Sequence, residues 1–159
     1  MHFRLSIIII LLLLYSCNIK QNTLSYSNSI KDTPFLTMQR TACYGTCPQY
    51  TITIYNSGLF KYEGKMFVEK QGCFYTIIQN KDIASIKSKL LEIDFFSFEK
   101  EYNSPITDIP SIILTVNTKK GQHSVINRFN GPESLNRFQN LMDSISDSFS
   151  TWYSCQDLE

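Results

Sequence analysis

Cys43 and Cys47 are the side chains with the most chemistry open to them, in the run Arg40-Thr41-Ala42-Cys43-Tyr44-Gly45-Thr46-Cys47-Pro48-Gln49-Tyr50. Two thiols this close can form a disulfide, exchange disulfides or hold a soft metal ion. On a straight strand their Cα atoms would lie about 13 Å apart, against about 4.4–6.8 Å for a bridged pair. A bond therefore requires Tyr44-Gly45-Thr46 to turn, and Gly45 permits a turn. Closing so short a loop contributes about 2 kcal/mol in the chain-entropy picture. Exchange chemistry would need a thiolate stabilised by a helix N-terminus or a cation. Arg40 is the only close cation and no helix start is predicted there, so the expectation is a structural bridge.

Cys73 and Cys155 are the other candidates for pairing. Together with Cys43 and Cys47 they allow three pairings, and a Cys73–Cys155 bond would join a strand to the C-terminal tail. Intervals of three, twenty-five and eighty-one residues between successive cysteines do not match paired zinc-knuckle spacings. Hydrolytic chemistry has little to work with. No Gly-x-Ser-x-Gly is present, and His123 and Ser124 are strand neighbours that face opposite ways. Glu99, Glu101 and Asp108 lie in or near a proline-broken loop, where carboxylates are usually solvated.

The elements that would carry these residues read as follows. Tyr50 to Tyr55 alternates β-branched and aromatic residues, Asn56-Ser57-Gly58 turns, and Leu59 to Glu63 returns as the second arm of a hairpin. Gly72 to Ile78 reads as a third strand. Asn80 caps a helix whose face is Ile83, Ile86, Leu90, Leu91 and Ile93, ending near Asp94. Phe95-Phe96-Ser97-Phe98 reads as core packing. After a loop broken by Pro105 and Pro110, Ile112 to Asn117 and His123 to Phe129 form a second hairpin around Lys119-Lys120-Gly121. A second helix opens at Asn130-Gly131-Pro132-Glu133 with the stripe Leu135, Phe138, Leu141, Met142, Ile145 and Phe149. The expected fold is α+β. It has one antiparallel sheet of about five strands in the order β-β-β-α-β-β-α, with both helices on one face.

The amino terminus points to a compartment. Arg4 precedes an unbroken apolar run from Ile7 to Leu14, the layout of a secretory signal. The run is too short for a membrane span, which needs about 20 apolar residues. Polar Asn18, Lys20, Gln21 and Asn22 stop it from lengthening. Leu14-Tyr15-Ser16-Cys17 resembles the lipobox of bacterial lipoproteins, although Tyr15 is larger than the usual residue there. That resemblance implies cleavage after residue 16 and lipidation of Cys17, with acyl chains anchoring the protein to a membrane. Asn18, in place of an aspartate, favours the outer membrane. The expected organisation is a signal over 1–16, a lipidated tether over 17–34, a domain over 35–150 and a tail over 151–159.

Composition narrows the partners. Cleavage would leave 143 residues (159 less the first 16), enough for one domain and a tether. It would also remove Arg4, leaving fourteen basic against fourteen acidic residues. A neutral chain without basic clusters has no electrostatic footprint for nucleic acid. Its membrane contact would come from the lipid.

The Cys43-to-Tyr50 motif, with its Tyr55-Asn56-Ser57-Gly58 turn, resembles a family of bacterial envelope lipoprotein domains of unknown function. Those domains open with Cys-aromatic-Gly-x-Cys-Pro before a hairpin. The resemblance covers about Met38 to Ser148 and implies a fold and a compartment but no activity. Cys-x-x-x-Cys-Pro also resembles the copper-binding loop of Sco-type copper chaperones, which implies a Cys43, Cys47 and His123 ligand set for Cu(I). Those proteins place the cysteines at a helix start, whereas Cys47-Pro48 here leads into a strand. The expectation is a lipid-anchored, non-enzymatic binding or scaffolding domain of the cell envelope, without a cofactor beyond its lipid. The alternative is a periplasmic thiol-redox or copper-handling protein using Cys43 and Cys47.

Overall fold

Alternation along each strand decides what the sheet buries. In the computed structural model, which describes residues 33–103 and 105–158, Leu36 stands opposite both Ile54 and Val116, and Met38 opposite both Ile52 and Leu114. Ile52 faces Tyr62, Ile54 faces Phe60, and Leu114 faces Val125. Directly paired residues share a face, so these apolar side chains line one side of the sheet. The signal segment and Cys17 lie outside the described residues.

The strands are β1 (Pro34–Arg40), β2 (Gln49–Tyr55), β3 (Leu59–Met66), β4 (Gly72–Ile77), β5 (Glu101–Tyr102), β6 (Ile112–Thr118), β7 (Gly121–Asn127) and β8 (Tyr153–Ser154). They form one open sheet in the order β5-β7-β6-β1-β2-β3-β4-β8. Every pairing is antiparallel except β5 with β7, which is parallel. Among the described residues the fold is mixed α+β with two helices and eight strands, rather than five. Of the three strands absent from the sequence reading, β1 is a central one. Pro34-Phe35-Leu36 places two adjacent apolar residues after a proline, and the β1–β2 register shifts there, so β1 lacks clean alternation. β5 and β8 have two residues each, too short to leave a pattern. The tail expected from residue 151 supplies β8 and so joins the sheet.

Helix α1 (Asn80–Glu92) buries Ile83, Ile86 and Leu90, and helix α2 (Glu133–Ser148) buries Leu135, Phe138 and Met142. All six belong to the cluster that includes the apolar sheet face. Both helices therefore cover that side, as expected. The predicted Asn80 cap is displaced by one residue. Gln79 is the cap, and its N–H donates to the Asp82 carboxylate at 3.2 Å. Pro132 caps α2 from just outside it. Leu91 is exposed rather than packed, as is Phe96, while Phe95 is fully buried. The opposite sheet face carries polar side chains, including the Thr115–Ser124 hydroxyl pair and the Lys61–Glu63 ion pair. One covered and one wetted face suits an antiparallel sheet.

Two glycines are fixed by their surroundings. Gly58 has φ +94°, and a Cβ there would lie 2.6 Å from the Ile78 carbonyl oxygen. At Gly64 a Cβ would meet the Lys70 carbonyl oxygen at 1.8 Å, because the chain after β3 folds back over it.

Candidate functional site at the disulfide end of the sheet

The C-terminal end of β1 and the start of β2 are joined by the cysteine loop. Cys43 and Cys47 are bonded, with Cα atoms 5.7 Å apart, and Cys73 and Cys155 are bonded at 5.4 Å. All four described cysteines are thus paired. The second bond follows from the β4–β8 pairing, which sets Phe74 opposite Ser154 and brings their sequence neighbours Cys73 and Cys155 together. The cysteine loop is also held from outside. Tyr44 N–H donates to the Asp108 carbonyl at 3.4 Å, Thr41 N–H to the Ser111 carbonyl at 3.0 Å, and Ser111 N–H to the Thr41 hydroxyl at 2.8 Å. Tyr44 itself points into solvent, 92% exposed.

Behind the loop lies a polar constellation that the sequence did not announce. Arg40 at the end of β1 makes a two-pronged ion pair with Asp143 of α2, through Nη2 to Oδ2 and through Nε to Oδ1 at 3.4 Å. Tyr50 at the start of β2 donates its hydroxyl to Asp143 Oδ1 at 2.5 Å. Burial pulls the Arg40 pKa down, but the hydrogen bond and charge of Asp143 outweigh it and the net direction is up. Burial raises the Tyr50 phenol well above its usual range, and the Asp143 contact adds to that. Arg40, named above only as a cation near the thiols, is committed to Asp143. No local signal could have linked residues 40, 50 and 143, since the contacts span 103 and 93 positions.

The ring of Tyr50 stacks on Tyr62, centroids 5.3 Å apart, and Tyr62 leads to Trp152 at 5.8 Å. Trp152 and Phe149 then close over Phe60. Two grooves open beside these rings and share Pro48, Tyr50 and Asp147. One of about 340 Å³ is lined by Arg40, Cys47, Pro110 and Asp143 as well. The other, about 430 Å³, continues along Tyr62 to Phe67, Glu69 and Lys70.

The copper ligand set is not assembled. Cys43 follows Arg40, which pairs with Ile112, whose partner on β7 is Asn127. His123 is four residues back along β7, about 13 Å toward the other end of the sheet. Its Nε2 lies 3.1 Å from the Phe98 carbonyl, and its ring packs edge-on against Phe95. Ser124 faces the other way, onto the wetted side with Thr115. Asp108, Glu99 and Glu101 are exposed. Among the described residues no group of three or more histidine, cysteine or acidic side chains could hold a metal ion.

A family described as Domain of unknown function (DUF6438) matches residues 34–146. The chain belongs to this family. The matched span of the DUF6438 domain runs from the first residue of β1 into the last turn of α2, so it contains Arg40, the cysteine loop, Tyr50 and Asp143. It stops before Trp152 and Cys155, which complete the aromatic cluster and the second disulfide. Comparison with curated proteins gave no match. A larger groove of about 590 Å³ sits at the opposite end of β1, walled by Phe35, Leu90, Leu91, Phe96 and Val116. Its Lys87 is already occupied, over the Phe35 ring and bonded to Asn56. Its lining also includes Asn56, Asn117, Thr118 and Lys119, and it lies away from the cysteine loop and the Arg40–Asp143 pair.

Proposed function

We propose that this is a lipid-anchored envelope domain whose role is binding rather than catalysis, and that the Cys43–Cys47 loop is its recognition element. The observation that carries the reading is Tyr44: a large aromatic ring, 92% exposed, at the tip of a loop closed by a disulfide and tied to the 108–111 segment. An exposed tyrosine on a rigid support loses little entropy when a partner covers it, and tyrosine is enriched among residues that dominate binding energy. Full pairing of the described cysteines supports an oxidising compartment. The lipobox resemblance at Cys17 supports the anchor. The redox or copper alternative draws less support, because His123 lies far from the cysteine pair and Arg40 is held by Asp143.

The test is a fractionation and cross-linking experiment on the full chain in bacterial cells. Cys17→Ala is expected to release the protein from the membrane fraction and to abolish its mass shift from acyl chains. Tyr44→Ala is expected to leave the anchor intact while weakening partner capture by about tenfold. Membrane retention of Cys17→Ala would remove the anchor. Undiminished capture by Tyr44→Ala would remove the recognition role.

A further inference from the structure

The 430 Å³ groove is assembled from three parts at the edge of the core. Its floor is the stacked pair Tyr50 and Tyr62. One wall is the chain after β3, folded back over Gly64, which carries Glu69 and Lys70. Within that wall Phe67 is 46% exposed at φ +56°, a left-handed conformation unfavourable for a bulky residue. The other wall is the last turn of α2, with Ser146 and Asp147.

Two independent features leave this groove short of a partner. Among the described residues, neither the Asp147 nor the Glu69 carboxylate has a hydrogen bond or ion pair, so two unpaired carboxylates line the groove against the single cation Lys70. Ser146 is only 5% exposed and lines the groove, and among the described residues its hydroxyl has no hydrogen bond to another group of the protein. The neighbouring serines of the same helix are satisfied, Ser144 by the Asn140 carbonyl and Ser148 by that of Ile145. The charges reach the floor as well. Burial raises the Tyr62 phenol, and Asp147, Asp143 and Glu69 raise it further. Lys70 is the one cation of the groove, and it already sits over an aromatic face, 5.7 Å from the Trp152 ring centroid. Arg40 and Asp143 neutralise each other nearby.

Aromatic floor, opposed carboxylates and an unpaired serine hydroxyl suit a planar cation with several in-plane donors. A guanidinium stacks on a ring and forks onto a carboxylate, whereas an ammonium is a more strongly hydrated point charge. We propose that this groove receives the side chain of an arginine on a partner polypeptide, beside the Tyr44 loop. The proposal deepens the binding reading and rests on it for the partner, while the groove chemistry can be measured alone.

The probes are the capped tripeptides Ac-Gly-Arg-Gly-NH2, its lysine and glutamine counterparts, and free arginine. Each is titrated into the oxidised full-length protein while amide shifts and the fluorescence of Trp152, the only tryptophan, are followed. Saturable binding of the arginine peptide is expected with a dissociation constant of about 1 mM. Shifts should centre on Tyr62, Glu69, Lys70 and Asp147. The lysine peptide should bind more weakly, and the glutamine peptide should not saturate. E69Q/D147N should weaken the arginine peptide about tenfold, whereas E92Q on α1 should not. Equal binding to E69Q/D147N, or no saturation by the arginine peptide, would overturn the site. Free arginine binding as tightly as the peptide would overturn the partner polypeptide as its source. Tyr44→Ala is assayed alongside. If that variant loses its partner while the peptides fail to bind, only the groove assignment falls.

Discussion

Replacing Cys73 and Cys155 together by serine is expected to cost about 4.5 kcal/mol of unfolding free energy, the chain-entropy value for a loop of this length. The bond closes 82 residues, more than half the chain, and fastens the two-residue strand β8 to the sheet. Its loss should also loosen Trp152 from Tyr62 and Phe60, so a red shift of tryptophan emission should precede global unfolding. Replacing Cys43 and Cys47 should cost only about 2 kcal/mol, because their loop spans four residues. Denaturant unfolding of both pairs of variants under non-reducing conditions checks the order. Equal losses, or a larger loss at the short loop, would contradict the assignment of the long bond as the main staple.

Asp143→Ala is expected to destabilise the domain by about 2–3 kcal/mol, below the 3–5 kcal/mol typical of a fully buried broken pair. Arg40 and Asp143 retain 24% and 22% of their side-chain exposure, so water partly compensates each. The loss exceeds that of one ordinary hydrogen bond because Asp143 serves two partners at once, leaving a half-buried guanidinium and a phenol without their acceptor. Tyr50→Phe, which removes one donor only, should cost about 1 kcal/mol. It should also change the alkaline limb. The folded Tyr50 holds its proton to higher pH than the unfolded chain does, so its contribution is fully present below about pH 10. It is then lost as pH climbs through the raised folded value. Wild-type stability should therefore fall more steeply above that point than that of Tyr50→Phe. Parallel curves would show that Tyr50 does not titrate differently on folding.

These two sites also show which parts of the molecule were readable from its residues. The hairpins β2–β3 and β6–β7 and both helices were legible, since each depends on patterns within a few residues: alternation, a turn, a stripe. The Cys43–Cys47 bond was legible for the same reason, its partners being neighbours. β1 was missed because a central strand is specified by what lies on either side of it, and its own alternation breaks at Phe35 and Leu36. The Arg40–Tyr50–Asp143 constellation was invisible because it joins residues 93 and 103 positions apart, which no local pattern links. Cys73–Cys155 lay between these cases. Cysteine parity suggested it, and only the pairing of β8 with β4 selected it from the three possibilities.

β1 is both the first described strand and a strand flanked on each side, by β2 and by β6. A chain hung from its amino terminus would deliver any mechanical pull straight along that strand. The bonds to both neighbours would then be sheared together instead of being unzipped singly from an edge. If Cys17 is the anchor, such an attachment would resist drag and jostling at the membrane, and the load would be carried before it reached the loop at β1's far end.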